Sequence, residues 1–232
     1  METGFPLHLA TMLIAALLYL VTAVVFLASF VRERSEITVA FLAFLISMAV
    51  SLALMGVGQY ANEPVLIYLG VFAVFTGSCF MLKLPLSALP APWRTPAFYG
   101  CLLLSWSLLT WMIATAAGRQ LLPHLSLWYM IIVNGAVTGL YAIWIGLRSK
   151  IPWVKVKATG GGLGIASCCM ASHLTSLAGA SLVVSASLQF ASPLLILAAI
   201  FSGRRLQRQA ELNQAASQND GGQPEGSPAL PR

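Results

Sequence analysis

The charged residues of this chain lie between its long apolar stretches, and this pattern constrains the fold more than any other feature. The bases that mark alternate junctions between apolar stretches are Arg32, Arg34, Lys83, Arg94, Arg148, Lys150, Lys155, Lys157, Arg204, Arg205 and Arg208. Of the other junctions, only the one at Arg119 carries a base. Lys and Arg concentrate in the cytoplasmic loops of membrane proteins. The pattern therefore predicts a multi-pass protein of the cell (cytoplasmic) membrane.

Composition agrees with a membrane protein. Of the 232 residues, 58% are hydrophobic and only 9% are charged, whereas soluble chains carry roughly 25% charged residues. The net charge of +6 is spread over the flanks of apolar segments, so we expect no nucleic-acid partner. The first apolar run, 7–31, is too long for the core of a signal peptide and has no basic segment before it, which predicts a retained first span.

A spanning helix needs about 20 mostly apolar residues. Seven segments qualify: 7–31, 37–58, 64–82, 97–117, 125–147, 158–177 and 182–202. The sixth is the weakest because it is rich in Gly and Ser. However, basic clusters precede the sixth and follow the seventh, so an even number of crossings must separate them if both face the cytoplasm. The sequence therefore predicts an all-α bundle of seven transmembrane helices over 1–203, with the N-terminus outside and the C-terminus cytoplasmic.

The C-terminal tail, 204–232, follows the last predicted span. Its first part is basic, and we expect it to extend the last helix by two or three turns, to about residue 214. The remainder is polar and rich in Gly and Pro, which predicts disorder. The tail is too short and too polar for a kinase, cyclase or nucleotide-binding domain.

Small residues predict how the fifth and sixth spans pack. Gly135 and Gly139 on the fifth span form a GxxxG pattern, and Gly160 and Gly164 on the sixth form another. Such patterns let helix backbones approach closely in a bilayer. We therefore expect these two consecutive spans to be among the closest-packed pairs.

A few polar residues lie inside the predicted spans, where they are costly and often functional. Asn134, His173 and Gln189 fall in the outer half of the bundle. Thr138 shares a helix face with Asn134, and Ser185 shares one with Gln189. These five residues are the candidate polar pocket, open to the outside. The alternative is that they only join helices through hydrogen bonds.

Metal and cofactor binding have little support in the sequence. Cys169 and His173 share a helix face, and thiolate with imidazole suits copper(I) or zinc. A closed metal site needs three or four ligands, so this pair is a weak candidate and we expect no metal. Haem held by two histidines needs facing partners, and His173 is the only histidine well inside a span. We therefore expect no cofactor.

The basic loop between the fifth and sixth predicted spans carries Arg148, Lys150, Lys155 and Lys157, with Trp153 among them. Bases next to a membrane attract anionic lipids at about 1 kcal/mol each, and Trp suits the headgroup layer. We expect this loop to face anionic lipids on the cytoplasmic side and to anchor the topology.

Most intramembrane chemistry is excluded by the residues that the spans lack. The only aspartate is Asp220, no predicted span carries a lysine at its middle, and there is no P-loop. We therefore expect no enzyme and no ion-coupled carrier. Two hypotheses remain: a sensor-like or accessory membrane subunit that acts through a membrane protein partner or a second copy, and an uncoupled facilitator or small carrier for a neutral or zwitterionic solute or lipid.

Overall fold

The structure is a computed structural model that describes residues 4–30, 36–177 and 182–220. It is 94% helical, and the described ranges contain no strand. A chain of apolar segments favours helices because each helix satisfies its own backbone hydrogen bonds without water. The prediction of an all-α fold is confirmed.

The helices follow one another with short connections. They are α1 (Gly4–Phe30), α2 (Glu36–Ala61), α3 (Pro64–Met81), α4 (Lys83–Leu86), α5 (Ala91–Ala114), α6 (Ala116–Tyr129), a π-helix (Met130–Gly139), α7 (Leu140–Arg148), α8 (Pro152–Leu177) and α9 (Leu182–Asp220). The turn between α2 and α3 contains Asn62 in the left-handed region at φ 55°. Pro64 then begins α3, where its missing N–H costs nothing.

Five helices in the described part of the chain are long and apolar enough to cross a membrane, which indicates an integral membrane protein. These segments are Leu9–Ala28, Glu36–Ala61, Pro64–Leu86, Ala91–Ala114 and Ser187–Ala216. The predicted fifth and sixth spans are helical but are not among the five. In α8 the glycines, serines and two lysines lower the mean hydropathy.

Neighbouring helices run antiparallel. Phe26 near the end of α1 packs against Phe41 near the start of α2, with ring centroids 5.0 Å apart. Trp106 Nε1 on α5 donates to Thr76 Oγ1 on α3 at 3.1 Å. The core between the helices is built from fully buried large side chains: Tyr19, Phe44, Leu45, Phe75, Leu109, Met112, Ile165 and Ile196. The bundle is therefore an up-and-down arrangement with one continuous apolar core.

The first and last helices run parallel to each other. Tyr19 on α1 contacts Ser192 on α9. Further along both helices, Arg204 Nη2 donates to the carbonyl oxygen of Val25 at 3.3 Å. The ends of α1 and α3 consequently lie with the starts of α2, α5 and α8 at one end of the bundle. We call it the basic end, because Lys83, Arg94, Lys157 and Arg204 lie there.

The outer surface of the bundle is apolar. Large side chains such as Val24, Leu104 and Leu147 are more than half exposed. A contiguous surface of this kind would favour aggregation in water. Hydrocarbon solvates it well, so the exposed side chains suit a lipid-facing surface.

The last helix is longer than the sequence predicts, since α9 continues to Asp220. At about 1.5 Å per residue, its 39 residues extend well beyond the thickness of a bilayer. Arg32 and Arg34, the connection 178–181 between the last two predicted spans, and 221–232 lie outside the described residues.

Candidate functional site

The predicted polar pocket is only partly within the described structure. The side chains of Asn134, His173 and Ser185 lie outside it. Thr138 is fully buried, and its hydroxyl donates to the carbonyl oxygen of Val133 at 2.8 Å. Gln189 is half-buried on α9. The five residues therefore stay a prediction.

The middle of the predicted fifth span is a π-helix, which the sequence reasoning missed. Its backbone hydrogen bonds join residues five apart, as in the bond from the N–H of Leu140 to the carbonyl of Gly135. Helices of this kind are rare and frequently occur at functional sites. No simple sequence signal marks them, because each residue alone is compatible with an α-helix.

One glycine face of α8 meets the fifth predicted span. A Cβ at Gly162 would lie 2.6 Å from the carbonyl oxygen of Gly139. A Cβ at Gly135 would lie 3.3 Å from the Cβ of Cys169. The expected close approach of the two spans thus involves Gly135 and Gly139, with Gly162 and Cys169 as their partners on α8.

The other glycine face of α8 meets α9. A Cβ at Gly160 would lie 2.5 Å from the Cβ of Ala199, and one at Gly164 would lie 2.5 Å from Cγ1 of Ile196. Gly160 and Gly164 therefore contact α9 rather than the fifth span, which the sequence analysis assigned as their partner. The reason is the helical period: Gly160 and Gly164 share one face, and Gly162 points to another.

A buried polar contact joins α1 to α9 in the middle of the bundle. The Tyr19 hydroxyl and Ser192 Oγ are 2.7 Å apart, and both residues are essentially inaccessible. The thiol of Cys168 on α8 also interacts with Tyr19. This trio satisfies its own polar groups, as buried groups in an apolar surrounding must.

A second buried cluster joins α3, α5 and α6. Cys79 Sγ lies 2.9 Å from the Tyr129 hydroxyl, and Ser105 Oγ lies 3.2 Å from it. The Tyr129 ring stacks on Phe75 with centroids 4.3 Å apart.

Cys169, the weak metal candidate, is buried. Among the described residues, no group of three His, Cys, Asp or Glu is placed to hold a metal ion.

An apolar cavity of about 310 Å³ lies at the basic end of the bundle. The side chains that define it are Phe26, Ile37, Phe41, Met81, Leu84, Ile145, Trp153, Val154, Ile165, Ile196 and Ile200, with Thr38, Lys157 and small residues that include Gly161 completing the wall. We call it the apolar cavity. Pockets that take small ligands measure about 300–1,000 Å³ and are mostly apolar with a few polar groups, and this cavity fits that description.

Lys157 connects the wall of the apolar cavity to α9. Its Nζ donates to Gln207 Oε1 at 3.1 Å. Its carbon chain packs so closely on Gly203 that a Cβ there would meet the Lys157 side chain. Gln207 lies on the part of α9 beyond the predicted seventh span. The Lys157 side chain therefore lines the cavity and also bonds to this extension of α9.

A second depression, of about 430 Å³, lies beside the apolar cavity. It is lined by Glu36, Ile37, Lys83, Leu86, Ser87, Arg94, Thr95, Phe98 and Tyr99. Lys83 Nζ lies 4.9 Å from the centroid of the Phe98 ring, and Arg94 Nε donates to the carbonyl of Leu89 at 2.8 Å. We call this depression the basic recess, because two cations and one carboxylate line it.

The basic loop predicted to face lipid divides into two parts. The Arg148 guanidinium lies 4.5 Å from the centroid of the Trp144 ring, and Lys150 and Lys155 are exposed. Lys157, by contrast, contributes to the apolar cavity. The four bases are close together in the sequence, and no local signal distinguishes Lys157, which lines the cavity, from the other three.

Comparisons with protein-family models, with curated proteins and with solved structures find no match for this chain. The structural features that bear on function are the two cavities, the packing around them and α9. In the buried Tyr19 and Tyr129 clusters the polar groups bond to one another. The apolar cavity and the basic recess, by contrast, have room for a ligand. These two depressions form the candidate site.

Proposed function

We propose that the chain crosses the cell membrane seven times, with its N-terminus outside and its C-terminus in the cytoplasm. The packing of α8 supports the two additional crossings. Gly160 and Gly164 on α8 contact Ala199 and Ile196, which belong to an apolar segment long enough to span. A helix beside that segment lies at membrane depth. The fifth predicted span packs along α8 in turn.

Thiol labelling from one side of the membrane tests this topology. We expect an impermeant maleimide to label Glu63→Cys and Gln120→Cys in intact cells, and Ala88→Cys and Ile151→Cys only after permeabilisation. All four positions are exposed, so accessibility depends on the side of the membrane. Labelling of Ile151→Cys in intact cells would mean that 116–177 stays outside, which leaves five crossings. The unsubstituted chain, with its four cysteines inside the bundle, is the control.

We further infer that the protein is a non-enzymatic sensor or accessory subunit, with a lipid-like molecule in the apolar cavity as its signal. The observation that carries this inference is the position of Lys157, which lines the cavity and bonds to Gln207 on α9. A ligand that displaces the Lys157 side chain removes a contact that holds the extension of α9. A partner that binds this extension, either another membrane protein or a second copy, would read the change.

The packing favours a sensor over a carrier. A carrier for a solute or lipid needs a route between the two sides, and the small glycine side of α8 is one place where such a route could pass. Gly160 and Gly164 face α9 with no room for a single methyl group. The α8–α9 interface therefore leaves no passage at these two glycines, and a sensor needs no passage.

Purification of the tagged protein from native membranes, with identification of co-purifying proteins, tests the subunit function. We expect a stoichiometric partner that is retained when 221–232 are removed and lost when 209–232 are removed. The shorter chain keeps Gln207, so its contact with Lys157 is preserved while the exposed end of α9 is absent. A full chain that purifies with no partner and as a monomer would support the carrier instead.

A further inference from the structure

We propose that the apolar cavity and the basic recess together bind one phosphate-bearing lipid, with an acyl chain in the cavity and the phosphate in the recess. This inference rests on the proposed role of the apolar cavity and identifies the class of its ligand. It concerns Lys83 and Arg94, which lie outside the basic loop that the sequence assigned to lipid.

The two depressions meet at the first described turn of α2. Ile37 lines both of them, whereas Glu36 lines only the recess and Thr38 only the cavity. Leu84 faces the cavity, and its neighbour Lys83 faces the recess. The α2 and α4 segments thus present apolar groups to one side and polar groups to the other, and a molecule that fills both must be apolar at one end and polar at the other.

The lining of the recess selects a negative head group. Among the described residues that line the recess, Lys83 and Arg94 outnumber Glu36, so these residues give it a positive charge. Arg presents a planar fork of donors that matches phosphate oxygens, and Lys adds a point charge. Its aromatic contact with Phe98 restricts where the Lys83 ammonium lies. Thr95 and Tyr99 line the same depression, and their hydroxyl groups can donate to phosphate oxygens.

The lining of the apolar cavity selects the other end of the molecule. Phe41, Ile165, Ile196 and Ile200 offer no hydrogen-bond donor or acceptor, so a hydrocarbon chain fits better than a polar solute. The volume of about 310 Å³ is at the small end for ligand pockets, which favours a single chain. A second acyl chain would remain in the bilayer against the exposed apolar surface.

Fluorescence quenching at Trp153 measures occupancy, because this side chain lines the apolar cavity. The probe is phosphatidic acid with brominated acyl chains, added to full-length protein in which the remaining tryptophans are replaced by phenylalanine. Brominated phosphatidylcholine is the comparison lipid. A base near a membrane surface contributes about 1 kcal/mol to anionic lipid binding. Replacing Lys83 and Arg94 with Gln should therefore weaken phosphatidic acid binding by about 30-fold and leave phosphatidylcholine unchanged.

The matched control is Lys150→Gln with Arg205→Gln, which removes two exposed bases from the same end of the molecule without touching the recess. We expect less than a threefold change in this variant. Equal weakening by both double variants would overturn the inference, since a general surface potential would then explain the preference. A Gln variant counts only if its melting temperature and size-exclusion profile match those of the parent.

Two further results separate this inference from the proposed function. Unchanged binding in the Lys83/Arg94 variant, together with lost quenching in Gly161→Leu, would overturn the phosphate site but leave a lipid-binding cavity. Unchanged quenching in the Lys83/Arg94 variant and in Gly161→Leu would overturn the phosphate site and the lipid-binding cavity together. Inorganic phosphate added as a competitor distinguishes a bound lipid from a bound ion: if it displaces the lipid at equal concentration, the recess is an anion site only and the inference is wrong.

Discussion

Gly164→Leu is expected to lower the melting temperature of the purified protein strongly, and to be among the most damaging single substitutions in the bundle. A Cβ at Gly164 would lie 2.5 Å from Cγ1 of Ile196 and 2.9 Å from the carbonyl oxygen of Ser192. The Ser192 carbonyl belongs to the backbone of α9, so it cannot rotate away and the helix itself must move. Extra atoms in a packed core cost about 1–3 kcal/mol, occasionally more. Movement of α9 also separates Ser192 from Tyr19.

Gly161→Leu is the matched control for this experiment. It lies on the same helix and introduces the same side chain, but a Cβ there meets nothing within 4 Å. Replacement of Gly inside a helix by a better helix former is favourable by several tenths of a kcal/mol. We therefore expect its melting temperature to be unchanged or slightly raised. Equal loss of stability in the two variants would contradict the packing of α8 against α9.

Gly161→Leu should nevertheless abolish lipid binding in the apolar cavity, which gives it the largest expected functional effect. The open space beside Gly161 is the cavity itself, so the leucine side chain occupies the volume that an acyl chain would fill. Quenching of Trp153 by brominated lipid should weaken by more than about tenfold, since the loss of two buried methylene groups alone is about 1.6 kcal/mol.

Gly100→Leu is the control for lipid binding. A Cβ at Gly100 also meets nothing within 4 Å, but Gly100 is exposed on α5 and does not line the cavity. Both variants therefore add the same apolar side chain to an uncrowded helix position. If quenching falls equally in both, the signal comes from lipid around the bundle and the apolar cavity is not a binding site.

Much of the fold could be predicted from the sequence because charge and hydropathy are local properties. The long apolar runs predicted α1, α2, α3, α5 and α9, and all of these are helices with apolar segments long enough to span. Helix ends are less well determined. The polar sequence after the last span contains good helix formers such as Gln, Ala, Leu and Glu, and α9 continues through them to Asp220.

A change in helical period explains part of what the sequence could not predict, because it alters which residues share a helix face. The assignment of Asn134 and Thr138 to one face assumes a period of 3.6 residues. The π-helix changes that period over Met130–Gly139, so the faces before and after it are offset. A similar limit applies to the glycines of α8, where GxxxG identified a close contact but not which neighbour makes it.

The candidate site itself has almost no sequence signal. The apolar cavity is formed largely by Phe, Ile and Leu side chains from six helices. In the sequence, each of these side chains is equally compatible with the core and with a lipid-facing surface. Gly161 is indistinguishable from its neighbours in the sequence. A Cβ at Gly161 would nevertheless point into open space, whereas a Cβ at Gly160 or Gly162 would meet a packed helix. Only the three-dimensional arrangement distinguishes them.

The length of α9 turns it into a lever arm. Pro193 lies inside this helix and cannot donate a hydrogen bond to the carbonyl four residues earlier, which makes that turn the natural pivot. From the pivot to Asp220 the helix measures roughly 40 Å, so a rotation of about 5° moves its tip by about 3.5 Å. Ile196, Ala199 and Ile200 line the apolar cavity on this same arm, within about two turns of the pivot. A displacement of α9 at the wall of the cavity would thereby be several times larger at its C-terminal tip.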